Sequence, residues 1–120
     1  MAGINRLLFT CCIIHIFNVA DACITDSSWK LVKEIPGTYS NFYCDNLGNI
    51  FLLTTNNQLK KYNATFDSAG VFNDVRRYGD IFSADVNNPL KIAVYYKDFA
   101  TIVVLDRFLN IRNTIDLRNT

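Results

Sequence analysis

Asp45-Asn46-Leu47-Gly48-Asn49 leads into Ile50-Phe51-Leu52-Leu53, and Gln58-Leu59-Lys60-Lys61-Tyr62 follows a short polar break. The Asp45 carboxylate can accept the backbone N–H groups just ahead of it, and Gly48 can take a positive φ without a Cβ clash. A turn of that kind makes a tight hairpin, so Ile50 to Thr54 is expected to fold back on Tyr39 to Tyr43. The same plan recurs downstream. Asp85-Val86-Asn87-Asn88-Pro89 leads into Ile92-Ala93-Val94-Tyr95-Tyr96, and Thr101 to Asp106 follows. The offset is 40 residues from Asp45 to Asp85 and 42 from Ile50 to Ile92. A period of about 40 to 45 residues with four short strands per unit is the mark of β-propeller blades.

Working outward, Trp29 to Ile35 alternates apolar and charged residues as a half-buried strand does, and Pro36-Gly37 ends it. The remaining strands are expected at Gln58 to Tyr62, from Gly70 onward, and at Ile81 to Val86, Leu90 to Tyr96, Thr101 to Leu105 and Ile111 to Leu117. No segment after Cys23 has a 3.6-residue apolar period. The expected fold is all-β: two four-stranded antiparallel blades, about 39–75 and 78–117, plus one extra strand. Two blades do not close a ring of four to eight. The expectation is therefore an incomplete propeller, the N-terminal fragment of a longer one. A self-contained sandwich or β-roll, or an oligomer that completes the ring, is the alternative.

The N-terminus has the form of a signal peptide over 1–22. Arg6 supplies the positive region, Leu7 to Phe17 a short apolar core, and Ala20-Asp21-Ala22 a small-x-small site. The run is too short for a bilayer span. The domain proper is then 23–120, and the expected location is the periplasm or the periplasmic face of the outer membrane. Cys11 and Cys12 would be lost on cleavage, leaving Cys23 and Cys44. Three states stay open for them: lipidation of Cys23, a Cys23–Cys44 disulfide, or two free thiols.

Composition narrows the chemistry. The formal net charge is +1, with basic and acidic residues interleaved, so there is no nucleic-acid footprint. The pairs Lys60-Lys61 and Arg76-Arg77 read as solvated strand or turn positions. The only histidine, His15, lies in the signal segment, so the mature chain has no imidazole for a catalytic dyad or a metal. No phosphate loop or nucleophile elbow occurs. Asp45, Asn46 and Asn49 offer oxygen ligands, but without the spacing of a calcium loop. No cofactor, no metal site and no enzyme activity are expected.

The loop from Asn63 to Gly70 carries two short modification motifs, the sequon Asn63-Ala64-Thr65 and Asp67-Ser68-Ala69. Tyr39, Phe42 and Tyr43, and again Tyr95, Tyr96 and Phe99, supply either a contact patch or packing between sheets. Arg107, Arg112 and Arg118 would extend such a patch or solvate an edge strand.

The run from Asp45 to Leu52 with Asn57 to Tyr62 resembles the D-x-x-G-N repeat of bacterial propellers, in blades of the NHL-like and two-component-regulator types. The stretch 29–117 is similar to exported propeller-like proteins of the Bacteroidota, where Asp67-Ser68-Ala69 would be an O-glycosylation motif with Ser68 as acceptor. The second unit departs from the pattern, with Asn88-Pro89 where the glycine would stand. The resemblance implies a non-catalytic exported binding or scaffold module, an accessory subunit of an outer-membrane or secretion complex with a protein partner in the envelope. It also leaves a periplasmic sensor domain, or part of a propeller enzyme with its catalytic residues elsewhere. An open blade face implies self-association.

Overall fold

A computed structural model describes residues 28–119. The segment 1–22, expected to be a signal peptide, and Cys23 lie outside the described residues. The chain divides into a unit of residues 1–32 and a unit of residues 33–120. Trp29, in the first, is 98% exposed, and residues 28–36, which run from the first unit into the second, form no strand. The strand expected over Trp29 to Ile35 is thus absent. Alternation alone does not make a strand, because its N–H and C=O groups need a ladder partner.

The second unit is all-β, with two four-stranded antiparallel meanders. Sheet 1 contains β1 (Tyr39–Cys44), β2 (Ile50–Thr54), β3 (Leu59–Tyr62) and β4 (Ser68–Phe72). Sheet 2 contains β5 (Ser83–Asp85), β6 (Ile92–Tyr96), β7 (Thr101–Leu105) and β8 (Ile111–Asp116). A one-turn helix, α1 (Val75–Tyr78), joins them and ends at Gly79, whose φ is +76°. Short connections explain the meander: turns of four to six residues hold each strand beside the previous one.

The ladders set the true repeat. Ile50 pairs with Tyr62, and Ile92 pairs with Leu105. Tyr43 pairs with Phe51, and Asp85 with Ala93. The first hairpin of each sheet therefore corresponds at an offset of 42, as the isoleucines indicate. The second hairpins correspond at 43, since Lys61 pairs with Gly70 and Val104 with Asn113, and the register irregularity falls at Lys61/Tyr62 in one and Val104/Leu105 in the other. The extra residue lies in the β6–β7 connection. The Asp45–Asp85 match at 40 is superseded: Asp85 belongs to β5, at the place Tyr43 holds in sheet 1.

This correspondence reveals how the sheets stack. One face of sheet 1, here the front, carries Phe51, Leu53, Leu59 and Phe72, all buried. In sheet 2 the matching face carries Ala93, Tyr95, Ile102 and Ile115. The buried core, however, unites the front of sheet 1 with Ile92, Val94, Val103 and Leu105, which form the back of sheet 2. The two sheets pack front to back. Gly70 makes room for this, since a Cβ there would sit 3.3 Å from the Leu109 side chain. Fully burying each such Val, Leu, Ile or Phe contributes about 1.5–3 kcal/mol, so this shared core is what holds the sheets together.

Candidate functional site

In a meander, alternate turns lie at the same end of the sheet. One end of this unit is built from a single turn design used repeatedly. At Asp45 the carboxylate Oδ1 accepts the Leu47 and Asn49 amides, both at 2.9 Å, and Oδ2 accepts the Asn49 side-chain amide at 2.6 Å. Gly48 closes the turn with φ +78°. At Asp106 the pattern repeats. Oδ1 accepts the Phe108 and Asn110 amides at 2.8 and 2.9 Å, and Oδ2 accepts the Asn110 side chain at 3.3 Å. The αL place is taken by Leu109, φ +66°. Between them, Asn63 does the same with its side-chain oxygen, accepting the Thr65 and Asp67 amides at 3.0 and 2.8 Å.

The turn carboxylates are held ionised. Burial pushes Asp45 up, but its bonds from the Asn49 side chain and the Asn49 and Leu47 amides, with Lys61 nearby, outweigh that and hold it below the usual carboxylate range. The Asn110 amide, opposed by desolvation and reinforced by Phe108 and Arg112, holds Asp106 low in the same way. The Asp45 oxygens are thus occupied by donors, which explains turn stabilisation without a cation. Among the described residues no group of three or more His, Cys, Asp or Glu is placed to hold a metal.

Lys61 ties the two sheets together at this end. It is buried, its Nζ donates to the Arg107 carbonyl at 2.8 Å, and it lies 5.5 Å from the Phe51 ring centroid. The expectation that Lys61 lies on a solvated face is therefore corrected. Its pairing with Phe51 and Gly70 puts it on the packed front, and the Arg107 carbonyl compensates its desolvation. Lys60, on the back, is only half-buried.

Around the Asp106 turn the surface is apolar and cationic. Leu90 (66% exposed) and Phe108 (62%) flank a pocket of about 280 Å³, completed by Asp106, Arg107 and Arg112. The Arg107 guanidinium carbon lies 4.6 Å from the Phe108 ring centroid. Arg112 Nη2 is 3.2 Å from Asp106 Oδ2. Exposed Phe and Arg around a pocket are the composition that anchors protein interfaces. Reasoning from sequence singled out Arg107 and Arg112 but missed Phe108 and Leu90. The Asp106–Asn110 echo of Asp45–Asn49 was the available signal, and it was hidden because Leu109 stands where glycine stood before.

The other expected residues separate. Tyr96 is fully buried and Tyr43 packs against the core, whereas Phe42 and Phe99 are exposed. Neither trio gathers as a whole on one surface, although Tyr39 and Phe42 line one pocket with Leu52. Tyr39 donates its hydroxyl to the Pro36 carbonyl at 2.8 Å. Ser68 is exposed, yet it belongs to β4, paired with Tyr62, rather than to the loop. In the sequon, Thr65 Oγ1 donates to Asn63 Oδ1 at 2.8 Å. Cys44 is an exposed free thiol at the end of β1. Arg118 lies away from the Asp106 turn and chelates Asp116 through two bonds of 3.0 and 2.7 Å. No helix among the described residues is long and apolar enough to cross a membrane.

No protein-family model, no curated protein and no solved structure gives a match to this chain.

Proposed function

We propose that this chain is a non-catalytic binding module: two blades of an exported propeller-like array that serves as an accessory or scaffold subunit of a bacterial envelope complex. The observation that carries it is the front-to-back stacking of two sheets at offsets of 42 and 43 residues. A closed sandwich buries the inner face of each sheet and needs no repeat. A blade array repeats one unit and turns every front onto the next back. Such an array gathers its equivalent turns at one end, where rigid sheets hold variable loops for recognition. Here that end offers the Phe108, Leu90, Arg107 and Arg112 pocket, a surface suited to a protein segment carrying carboxylates and an apolar side chain.

The test compares the wild-type chain with the double variant Arg107→Ala/Phe108→Ala in fractionated source cells. Wild-type protein is expected to sediment with envelope material in a large complex and to cross-link to one defined partner. The double variant should melt at the same temperature but run free of that complex. Wild-type protein that stays out of the envelope fraction, or a double variant that keeps the complex, would overturn the proposal.

A further inference from the structure

The correspondence between the sheets also identifies what the two outer faces fit. The back of sheet 2, built on Val94, Val103, Ile92 and Leu105, is sealed against the front of sheet 1. The same face in sheet 1, where Leu52, Lys60 and Val71 match Val94, Val103 and Thr114, is open, with Val71 53% exposed. The front of sheet 1 is sealed. The matching front of sheet 2 is open over Tyr95, Ile102 and Ile115, the first two half-buried and Ile115 39% exposed, while Val104 on the same face is buried. Among the described residues, the second unit therefore presents one unpartnered front and one unpartnered back, and its own interior is an example of how the two combine.

We infer that the partner of these faces is a second copy of this chain, whose sheet 2 front stacks on the sheet 1 back of its neighbour. Two further observations favour a copy over an unrelated partner. Apart from Lys60, each open face is apolar along its inner strands, with Ile50, Leu52 and Tyr62 on one and Ala93, Tyr95, Ile102 and Val104 on the other, where an isolated sheet in water would carry polar residues. Each also carries one charge that its sealed equivalent lacks, and the signs are opposite: Lys60 stands in the place of Val103, and Asp85 in the place of Tyr43. Because front meets back, the contact is heterologous. It extends from copy to copy until the rotation between sheets closes a ring. Rings of four to eight sheets correspond to about two to four copies.

The experiment is native mass spectrometry and sedimentation of the full chain, alone and as the variants Val71→Glu on the back of sheet 1 and Ile115→Glu on the front of sheet 2. Wild type is expected to form a closed oligomer, and each variant alone a monomer. An equimolar mixture of the two variants keeps one intact front and one intact back, and is expected to give a 1:1 heterodimer and nothing larger. The heterodimer would itself show that both variants are folded. Phe42→Glu, at a second exposed position on the sheet 1 back, should behave as Val71→Glu does. A monomeric wild type, an oligomer that survives either variant, or a mixture that stays monomeric would overturn the inference. Because the Arg107 and Phe108 turn is untouched, failure here leaves the envelope-partner proposal standing.

Discussion

At the residue scale, three residues define what the fold tolerates. The Tyr96 hydroxyl is buried without a hydrogen-bond partner, and burial, with Asp74 and Tyr78 adding to it, pushes the phenol well above its usual value. Its ring contributes the packing, 5.2 Å from the Tyr78 centroid. Removing an orphaned polar atom while keeping the ring relieves a desolvation cost of about 1–3 kcal/mol. Tyr96→Phe is therefore expected to raise stability by about 1 kcal/mol, read as a higher urea midpoint at unchanged slope. Leu109 accepts an αL backbone, a strain of about 1–2 kcal/mol, because its side chain is buried against Gly70. Leu109→Gly relieves the strain and loses the burial, so a net destabilisation of about 1 kcal/mol is expected. Gly48→Ala should also destabilise, by about 1 kcal/mol, since it meets both the positive φ and Ala64 at 3.3 Å.

The pH response also belongs to this scale. Asp45 and Asp106 are lowered, and Asp116 is lowered to about 2 by its Arg118 bonds. A carboxylate whose native pKa lies below its unfolded value of about 3.9 contributes stability that is complete above that value. The contribution is lost as pH falls through the native value. Thermal melts are expected to be flat from neutral pH down to about 5 and to drop steeply below about 4. Asp45→Asn should flatten part of that drop.

At the element scale, the hairpins were legible where the turn chemistry is explicit. Asp45 and Gly48 announced the β1–β2 turn, and β2 and β7 fall where the apolar runs place them. The β5 and β6 strands are shorter than the apolar runs over Ile81 to Val86 and Leu90 to Tyr96. Ile81 and Val86 are buried outside β5 and extend the core, whereas Phe82 and Leu90 are exposed. The turn over Asp106 to Asn110 was legible as the break between two strands, but its identity with the Asp45 turn was not, because a glycine rule cannot anticipate a leucine kept in αL by its own burial. Nor was the role of Lys61. A Lys-Lys pair in a strand puts one residue on each face, and which one is buried depends on the sheet stacked against it. The strand expected at Trp29 had a pattern but no partner, and pairing is a property of the neighbourhood rather than of the segment.

At the scale of the whole unit, the repeat was legible and the direction of stacking was not. A period near 42 states that two sheets share a design. It does not state which faces meet. That information lies in the burial of Val94 and Val103 against the half-exposure of Tyr95 and Ile102. The candidate surface was visible only as scattered arginines, because the turn end assembles Leu90 and Phe108 from two different hairpins. The consequence of front-to-back packing is a molecule with two unlike, complementary open faces, for which the paired glutamate variants give the functional readout.

The most direct test of this packing is a nuclear Overhauser spectrum of the methyl-labelled protein, recorded on Val71→Glu to keep it monomeric. We expect cross-peaks from the Leu109 methyls to the Gly70 α-protons, and from the Phe72 and Leu59 side chains to Val94, Val103 or Leu105. Cross-peaks from Phe72 and Leu59 to Ile102 and Ile115 instead would mean that the sheets meet front to front, and would contradict it.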